Sequence, residues 1–471
     1  MLFDSPVYIV FLALVTLLFW RLQFRAQNYF LLGASYFFYG WWDWRFVLLL
    51  AFSSVVDFYV ARAIERAQSL PRRRKALLIF SVALNFAILG FFKYSNFFVD
   101  SFLQLAPALG LHDLPRVFVQ IILPPAISFY TFQEVAYIVD VYHGKLRPAK
   151  SLVDYALFVS LFPHLIAGPI QRPLHLLPQV QWPRTWNADK AFDGLLLILE
   201  GLFRKVVIAD NCALVANAAF GGRFGPANTM VVLLGTLAFA FQIYGDFSGY
   251  SSIARGSAQL LGFHFMVNFR QPYLAQSLQD FWRRWHISLS SWLRDYLYIP
   301  LGGNRRGRLR TYVNLLLTML LGGLWHGANW TFVIWGGLHG FGLAGERLLS
   351  GKRDIADSPS STWRFARRIA VFVFVCLSWV FFRSHTVAGA FAQLRALFTW
   401  HWQPVYGVAT EFLAIFVTLM LFVDVCLERA KTEYLFELRS YRYRIAVGVA
   451  LCVLTTLLGA NQANAFIYFR F

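Results

Sequence analysis

The stretch that decides the fold is LLLTMLLGGLWHGANWTFVIWGGLHG, residues 315–340. It is apolar on both sides of a single central histidine, His326, and glycines recur on either side of that residue. The segment is long enough to enter a bilayer and return, so it predicts two helices joined near residues 325–330. Because glycines remove side-chain bulk, they permit either close packing of these helices or an open channel between them.

The composition of the whole chain is that of a protein whose surface faces lipid. Of its 471 residues, 58% are hydrophobic and only 14% are charged, whereas soluble domains carry about 25% charged residues. Apolar stretches of near-spanning length recur from one end to the other. They predict an all-α integral membrane protein with roughly eleven to thirteen transmembrane helices, accompanied by re-entrant or interfacial helices.

The positive charge is distributed in short runs between the apolar stretches. Lysine and arginine number 43 against 24 acidic residues, which gives a net charge of +19. Basic runs at 300–310 and 347–368 flank the central hairpin, and the positive-inside rule places both on the cytoplasmic side. No soluble basic patch predicts nucleic-acid binding. The four cysteines lie far apart, so neither a disulfide framework nor a metal site is predicted.

No polar segment is long enough to form a separate soluble domain, so we expect one polytopic membrane domain over residues 1–471. Its predicted parts follow one another along the chain. They are N-terminal spans at 1–268, an amphipathic or interfacial helix at 269–304, the hairpin of His326 at 305–346, and C-terminal spans at 347–471.

Residues 277–300, SLQDFWRRWHISLSSWLRDYLYIP, predict an amphipathic helix. Ser277 and Asp280 have the spacing of a helix start, because a serine can cap the backbone N–H three residues on. At helical spacing the apolar residues form one stripe with basic residues beside it. We expect this helix to lie in the membrane surface or to plug a cleft between spans. The stripe consists of Leu278, Trp282, Trp285, Leu289, Trp292, Leu293 and Tyr296.

His326 is the leading candidate for chemistry, because an ionisable residue at membrane depth is costly and is functional by default when it faces a polar interior. Its pKa range suits proton transfer near neutral pH. Asn329 would share a helical face with it and could orient the imidazole. His286, at the edge of the amphipathic stripe, could bind substrate or assist. A structural role remains the alternative for both histidines.

Four other ionisable residues lie near membrane depth. His339 cannot share a helical face with His326 and is interpreted as structural. Asp246, beside Ser248, is expected to cap a helix, with a polar cavity as the alternative. Glu134 and Asp140 are expected to pair with an arginine or lysine of neighbouring spans.

At this point the residues resemble a known family, the membrane-bound O-acyltransferases, in their bacterial polysaccharide branch. The most specific blocks are WHGANW at 325–330 and DFWRRWHISLS at 280–290. Further blocks occur in the order that the family shows. They are YGW at 39–41, PPAISFYTFQ at 124–133, FPHLIAGPI at 162–170, YGDFSGY at 244–250, YIPLGG at 298–303 and WGGLHG at 335–340.

The resemblance implies a helical bundle around a central funnel, with His326 as the catalytic histidine and His286 as the second active-site histidine. Asp295 is carried over from the family block as a supporting residue, and Asn329 and Trp325 of the WHGANW block are further supporting candidates. Asn329 or a backbone N–H could stabilise the oxyanion. For His326 to act, a thioester and an acceptor must both reach its ring.

The family takes an activated acyl group from the cytoplasm and passes it toward an exported acceptor. The resemblance therefore implies acetyl-CoA as donor and a polysaccharide such as alginate or cellulose as destination, in the bacterial inner membrane. It also implies an extracytoplasmic acetyltransferase partner protein and the polysaccharide synthesis machinery as partners. Arg305, Arg306 and Arg308 could contact the donor phosphates, or they could serve only as topology determinants.

Two other functions remain open at this stage. One is D-alanyl transfer to teichoic acid from a carrier protein, within the same superfamily. The other is transport without covalent chemistry, which leaves the two histidine blocks unexplained. The sequence has no Walker A loop and no HExxH motif, which argues against an ATP-driven pump and a metalloprotease.

Overall fold

The computed structural model describes residues 1–111, 121–166, 168–350, 360–437, 439–460 and 466. Within these ranges the regular structure is entirely helical, which confirms the predicted all-α class. Some predicted features fall outside the described residues. They are 351–359 of the basic stretch 347–368, Ala167 of the block at 162–170, and most of the C-terminal end after residue 460.

The chain forms two compact units, and each is discontinuous in sequence. The first unit comprises Met1, Val7–Trp186 and Leu261–His264; the second comprises Leu2–Pro6, Asn187–Leu260 and Phe265–Phe471. Both histidine blocks belong to the second unit, which also takes in the later part of the segment predicted as N-terminal spans.

The helices of the first unit are α1 (Pro6–Phe19), α2 (Phe24–Gly40), α3 (Arg45–Arg66), α4 (Pro71–Leu89), α5 (Ser95–Leu105), α6 (Ile127–Tyr142), α7 (Leu152–Ser160), α8 (Phe162–Leu165) and α9 (Pro173–Gln181). In this unit α3 packs against α4, α6 and α7, and a π-helical turn at Gly90–Tyr94 connects α4 to α5.

Two buried carboxylates, Glu134 and Asp140, lie on α6. Glu134 accepts hydrogen bonds from Ser53 Oγ and Ser54 Oγ of α3, at 2.9 and 3.1 Å. The prediction that it pairs with a basic residue of a neighbouring span is therefore wrong, because two hydroxyls solvate it instead. Asp140 lies 3.8 Å from Lys145, a cation on the loop after its own helix, and its predicted pairing with a basic residue of a neighbouring span stays a prediction.

The helices of the second unit are α10 (Ala188–Leu202), α11 (Asp210–Phe220), α12 (Thr229–Leu260), α13 (Leu278–Arg284), α14 (Ile287–Leu293), α15 (Arg308–His326), α16 (Trp330–Ser350), α17 (Ser361–Arg383), α18 (Val387–Ala396), α19 (Pro404–Ala430) and α20 (Tyr441–Leu458). In this unit α10 and α11 pack along the long helix α12, and α15 packs along α16. A π-helical turn at Phe203–Ala209 links α10 to α11.

Six described helical segments are long and apolar enough to cross a membrane. This makes the chain a multi-pass membrane protein, whereas the larger number of spans expected from the sequence stays a prediction. The six are α3, the continuous segment Pro71–Leu109, α12, α17, α19 and α20.

Glycines allow a close approach between helices, which is one of the two arrangements that the sequence left open for the hairpin of α15 and α16. A Cβ on Gly323 would lie 3.1 Å from the Cα of Gly336 across that hairpin. Between α10 and α12, a Cβ on Gly249 would lie 2.7 Å from the carbonyl oxygen of Gly201. Larger residues would push these backbones apart.

The predicted amphipathic helix is interrupted at its centre. Ser277 caps α13 by accepting a hydrogen bond from the Asp280 N–H, as its sequence pattern indicated. The helix then ends at Arg284, and α14 restarts at Ile287. The prediction of one continuous helix was wrong because His286 has a left-handed backbone (φ 44°), a conformation that helices do not accommodate.

The apolar stripe of α13 and α14 faces the protein interior. Phe281 and Trp285 belong to the same hydrophobic core as Trp335 and Trp379, and the Trp285 ring centroid lies 5.3 Å from that of Trp379. Of the two locations left open by the sequence, the structure therefore favours a plug between helices.

Asp246 lies in the middle of α12 and does not cap a helix, so that prediction was wrong. Its carboxylate pairs with Lys205 Nζ at 2.9 Å, and the same Nζ lies 2.9 Å from Asp210. The three side chains are almost completely buried. Because a buried charge needs an opposite charge nearby, each of these residues is stable there only with its partners.

Candidate active site

His326 is the last residue of α15 and lies in a box of aromatic rings. Its imidazole centroid is 5.2 Å from that of Trp335 and 5.5 Å from that of Phe382. The residue is only 4% exposed. The helix stops here because Gly327 takes an extended conformation (φ −159°, ψ 146°), and α16 begins three residues later at Trp330.

His286 lies at the break between α13 and α14, completely buried. Non-glycine residues with a positive φ are uncommon and often occur at functional sites. His286 Nδ1 lies 3.3 Å from Asn268 Oδ1. The same amide oxygen accepts hydrogen bonds from the N–H and Oγ of Ser288, at 3.2 and 2.9 Å.

Asn268 determines which ring nitrogen of His286 carries the proton. Asn268 Nδ2 donates to Ser251 Oγ at 3.3 Å, which orients the amide with its oxygen toward the histidine. An oxygen can only accept, so Nδ1 of His286 carries the proton and Nε2 carries the lone pair. His286 lies outside the six apolar helices, and its burial lowers the pKa of its imidazole to about 3. The ring is therefore neutral at physiological pH.

The structure brings the two histidines of the sequence prediction together. Their ring centroids are 6.1 Å apart. Trp325 touches both rings, with its centroid 5.1 Å from that of His326 and 6.1 Å from that of His286. Two imidazoles and an indole thus form one cluster, and an imidazole can take a proton from a hydroxyl in such a site.

His339 is held as a structural residue, in agreement with its sequence interpretation. Its Nε2 lies 3.0 Å from Ser378 Oγ, and the Trp282 Nε1–H donates to its Nδ1 at 3.3 Å. Both ring nitrogens are therefore occupied by protein groups that tie α16 to α13 and α17.

Asn329 does not orient His326. It lies beyond the end of α15, where its Oδ1 accepts a hydrogen bond from the Thr331 N–H at 2.9 Å and its Nδ2 donates to the His385 carbonyl oxygen at 2.9 Å. The prediction of a shared helical face was wrong because the helix ends at His326. Asn329 instead caps the start of α16.

A cavity of about 450 Å³ lies between the short helices α13 and α14 and the hairpin of α15 and α16. This volume is within the usual range for small-molecule sites. Three arginines and several amides and hydroxyls line it together with apolar side chains. The lining residues are Gln279, Trp282, Arg283, Ile287, Ser290, Ser291, Leu293, Arg294, Tyr298, Asn304, Leu315, Thr318, Met319, Leu343 and Arg347.

Comparison with known proteins leads to the same family that the sequence motifs resemble. Residues 145–388 match the model of the membrane-bound O-acyltransferase family. The probable alginate O-acetylase AlgI of Azotobacter vinelandii is 44% identical over 85% of this chain and 78% of its own length. The corresponding protein of Pseudomonas aeruginosa is 43% identical over 86% of this chain and 76% of its own length.

The chain belongs to the membrane-bound O-acyltransferase family. It falls in the bacterial polysaccharide branch and is an O-acetyltransferase by class. The peptidoglycan O-acetyltransferase of Helicobacter pylori is 38% identical over 84% of this chain and 80% of its own. The teichoic acid D-alanyltransferase of Bacillus subtilis is more distant, at 28% identity over 54% of this chain and 67% of its own.

The remaining site candidates from the sequence do not line this cavity. Asp295 forms an ion pair with Arg294 at 2.7 Å, on the π-helical turn after α14. Arg305, Arg306 and Arg308 are exposed on the loop and first turn before α15, and they are not among the residues that line the cavity. Their proposed contact with the acyl donor stays a prediction.

Sequence reasoning missed Asn268 and Lys205 of this O-acyltransferase. Asn268 lies in an irregular segment eighteen positions before His286, so no local pattern connects the two. Lys205 was detectable, because FRKVVIAD at 203–210 places charges inside an apolar stretch, and charges at that depth need partners. Its partner Asp246 lies on α12, and only the fold shows that they meet.

Proposed function

We propose that this protein moves acetyl groups from a cytoplasmic thioester, acetyl-CoA, toward an exported polysaccharide, with His326 as the general base. The observation that carries the proposal is the pairing of His326 with a neutral, oriented His286 at 6.1 Å between ring centroids. The identity of 38–44% to proteins named for polysaccharide O-acetylation supports the acetyl group and the class of acceptor.

In the proposed reaction, His326 takes the proton of an acceptor hydroxyl as its oxygen attacks the thioester carbonyl carbon. The C–S bond of the resulting tetrahedral intermediate then breaks, and the imidazolium returns the proton to the departing thiolate. The products are an acetyl ester and a free thiol. The aromatic rings around His326 exclude water, which limits hydrolysis of the thioester.

His286 is proposed to assist His326 as a fixed, neutral hydrogen-bond acceptor. Asn268 holds its Nδ1 as a donor, so the ring cannot turn freely and Nε2 stays in one place. Trp325 packs against both imidazoles. A neutral base in a fixed orientation can accept a hydrogen bond from a donor in the site without the reorganisation that a mobile side chain would need.

The enzyme is proposed to lie in the inner membrane and to pass the acetyl group to the reactive serine of an extracytoplasmic partner protein. This partner then acetylates polymers such as alginate or cellulose. D-alanyl transfer is the second candidate, since a teichoic acid D-alanyltransferase is 28% identical over part of the chain. Mass spectrometry of the modified polymer distinguishes an added acetyl from an added D-alanyl group.

The proposal is tested by replacing His326 with alanine in a host that makes an acetylated polymer and depends on this protein. We expect polymer acetylation to be lost while the variant accumulates in the membrane at the wild-type level. As a matched control, His143→Ala removes an exposed histidine from the first unit and should leave acetylation unchanged. Normal acetylation in the His326 variant would refute the proposal.

A further inference from the structure

The first unit holds two buried carboxyl groups that form no salt bridge with any residue the structure describes. Asp57 lies near the middle of α3, a helix long and apolar enough to cross a membrane, and Glu134 lies on α6. Both residues are 0% exposed. An ionised carboxylate at that depth is costly unless a cation or several hydrogen-bond donors stabilise it. The contacts of the two groups therefore indicate which of them carries a charge.

Asp57 has a hydrogen-bond donor at each of its carboxylate oxygens. Ser81 Oγ donates to Oδ1 at 2.5 Å, and Asn85 Nδ2 donates to Oδ2 at 2.8 Å. Both donors lie on α4, one helical turn apart, and both are themselves buried. Hydrogen bonds donated to a carboxylate favour its charged form. The negative charge of the pair is therefore better stabilised on Asp57.

The surroundings of Glu134 favour a neutral carboxyl group instead. Its Oε1 lies 2.9 Å from Ser53 Oγ and 3.1 Å from Ser54 Oγ, whereas its Oε2 is buried without a hydrogen-bond partner in the described part of the chain. Ser53 Oγ also lies 3.1 Å from the Leu50 carbonyl oxygen. Because a hydroxyl has a single hydrogen, Ser53 can form both bonds fully only if the Glu134 carboxyl donates in one of them. A protonated acid satisfies this requirement, and a carboxylate does not.

The two carboxyl groups are close enough to influence each other's charge. Ser53 and Ser54, which contact Glu134, precede Asp57 on α3 by four and three residues, so the three side chains share one face of that helix. Residues at this spacing have Cβ atoms about 5–6 Å apart. When two carboxyl groups share a buried site, repulsion between their charges keeps a proton on one of them.

Two tyrosine hydroxyls provide a second, independent sign of a site at this place. Tyr155 on α7 interacts electrostatically with both carboxyl groups, and Tyr130 on α6 interacts with Glu134. Both residues are almost completely buried, and neither hydroxyl has a hydrogen-bond partner among the described residues. A buried hydroxyl without a partner is costly. Protic groups beside a carboxyl group at membrane depth are typical of sites that take up and release protons.

Asp57 is the neighbour that decides the charge of Glu134, because the other titratable groups that interact with the pair are phenols, which are neutral at physiological pH. The groups of α4 that contact the pair are the uncharged side chains of Ser81 and Asn85. On α9, which also packs against α6, the ring of His175 packs against that of His264. The phenols belong to Tyr36 of α2, Tyr130 and Tyr137 of α6, and Tyr155 of α7.

We propose that Asp57 and Glu134 form a binding site for one proton at membrane depth, with Glu134 as the group that holds the proton and Asp57 as the neighbouring charge. On binding, an O–H bond forms at a Glu134 oxygen and the pair changes from two negative charges to one. The proton comes from water and returns to it. No step proposed for His326 uses this site, because the proton of the acceptor hydroxyl leaves with the thiol.

The first test compares infrared difference spectra of the full chain in phosphatidylcholine nanodiscs at neutral pH. A protonated carboxyl group and a carboxylate absorb at clearly separate frequencies, so the spectrum shows which form each substitution removes. We expect Glu134→Gln to lose the band of one protonated carboxyl group. The matched variant Asp57→Asn, from the same cluster, should lose the bands of one carboxylate.

Loss of carboxylate bands in Glu134→Gln would overturn the proposal, because Glu134 would then be ionised. Loss of a protonated band in Asp57→Asn would reverse the two roles and would equally contradict it.

The second test needs no variant and so does not depend on whether a substituted chain folds. The apolar reagent dicyclohexylcarbodiimide enters membranes and adds to protonated carboxyl groups, and mass spectrometry of peptides locates the label. In choline chloride at neutral pH, we expect label on Glu134 and none on Asp246, a buried carboxylate that is paired with Lys205. Absence of label on Glu134, or equal label on both residues, would contradict the proposal.

Replacing choline chloride with sodium chloride at the same concentration distinguishes a proton from a metal cation in this site. The proposal predicts the same amount of label on Glu134 in both salts. If sodium ions protect Glu134 from the reagent, the site binds Na⁺, and the assignment of a proton is wrong.

Discussion

The two histidines of this protein are held in opposite ways. His286 lies at a break between two short helices, where a left-handed backbone and hydrogen bonds around Asn268 fix its ring. His326 ends a long helix, where Trp335 and Phe382 pack against its ring. A ring fixed by hydrogen bonds is suited to orient a neighbouring group, and the proposed general base lies beside it, with 6.1 Å between the two ring centroids.

The largest effect is expected when the two histidines are replaced one at a time by glutamine. His326→Gln should lower the acetyl-transfer rate by about 10²–10⁴-fold, the usual contribution of a general base. His286→Gln should lower it less, because glutamine can still hydrogen-bond from that position. Steady-state rates of both purified variants check this order. A larger loss at His286 than at His326 would reverse the assignment of roles.

A second prediction concerns charges in the second unit that lie away from both histidines. Lys205→Met removes the cation between Asp210 and Asp246 and leaves their buried charges uncompensated, which costs about 3–5 kcal/mol of stability. We expect a lower midpoint of thermal unfolding in detergent. The fraction that remains folded should keep the wild-type rate per molecule. A specific loss of rate at unchanged thermal stability would place Lys205 in the catalytic machinery.

A third prediction sharpens the role of Asn268 as a positioning residue. Asn268→Asp puts a carboxylate against His286 Nδ1, which favours the imidazolium and raises the pKa of His286 above its present value of about 3. The neutral ring that the reaction needs is then lost as the pH falls through this higher pKa. The acid limb of the pH–rate profile should therefore move to higher pH.

The control for Asn268 separates positioning from folding. Asn268→Leu should lower the rate by on the order of tenfold at all pH values, because the orienting hydrogen bond is lost. Asn211→Leu removes another buried asparagine, which bonds to the Val207 and Leu458 carbonyls away from the histidines. If Asn268→Asp, Asn268→Leu and Asn211→Leu all lose activity and none of them changes the pH profile, Asn268 has only a structural role.

The smallest effect is expected at Asn329. Asn329→Ala removes a helix cap, which costs about 1 kcal/mol of stability, and it leaves His326 untouched because the two share no hydrogen bond in the described structure. We expect a small decrease in the unfolding midpoint and a nearly unchanged rate. A loss comparable to that of His286→Gln would restore the role that the sequence suggested for Asn329.

The sequence predicted the features that depend on short-range patterns. The Ser277 cap and the helical membrane class follow from spacing and composition. His326 stood out as an ionisable group in an apolar stretch, whereas His286 was assigned to the site mainly by the resemblance to the family. The family blocks then indicated that they belong to one site.

What the sequence could not predict depends on contacts between distant segments. Helical periodicity continues through His286 without interruption, so the break in the backbone there leaves no mark in the pattern. Asp246 was interpreted as a cap because its partner Lys205 lies far away along the chain. Glu134 could not be assigned to serines of α3, because a local pattern does not show which helices are neighbours.

The most direct test of the account is a single-turnover measurement with wild-type protein and His326→Gln in nanodiscs. Each is loaded with acetyl-CoA labelled in the acetyl group and then given a hydroxyl acceptor, and the labelled ester and the free thiol are measured together. The account predicts that wild-type protein releases one thiol for each ester formed, and that the variant binds the donor but forms neither product. Formation of labelled ester by the variant at the wild-type rate would contradict it.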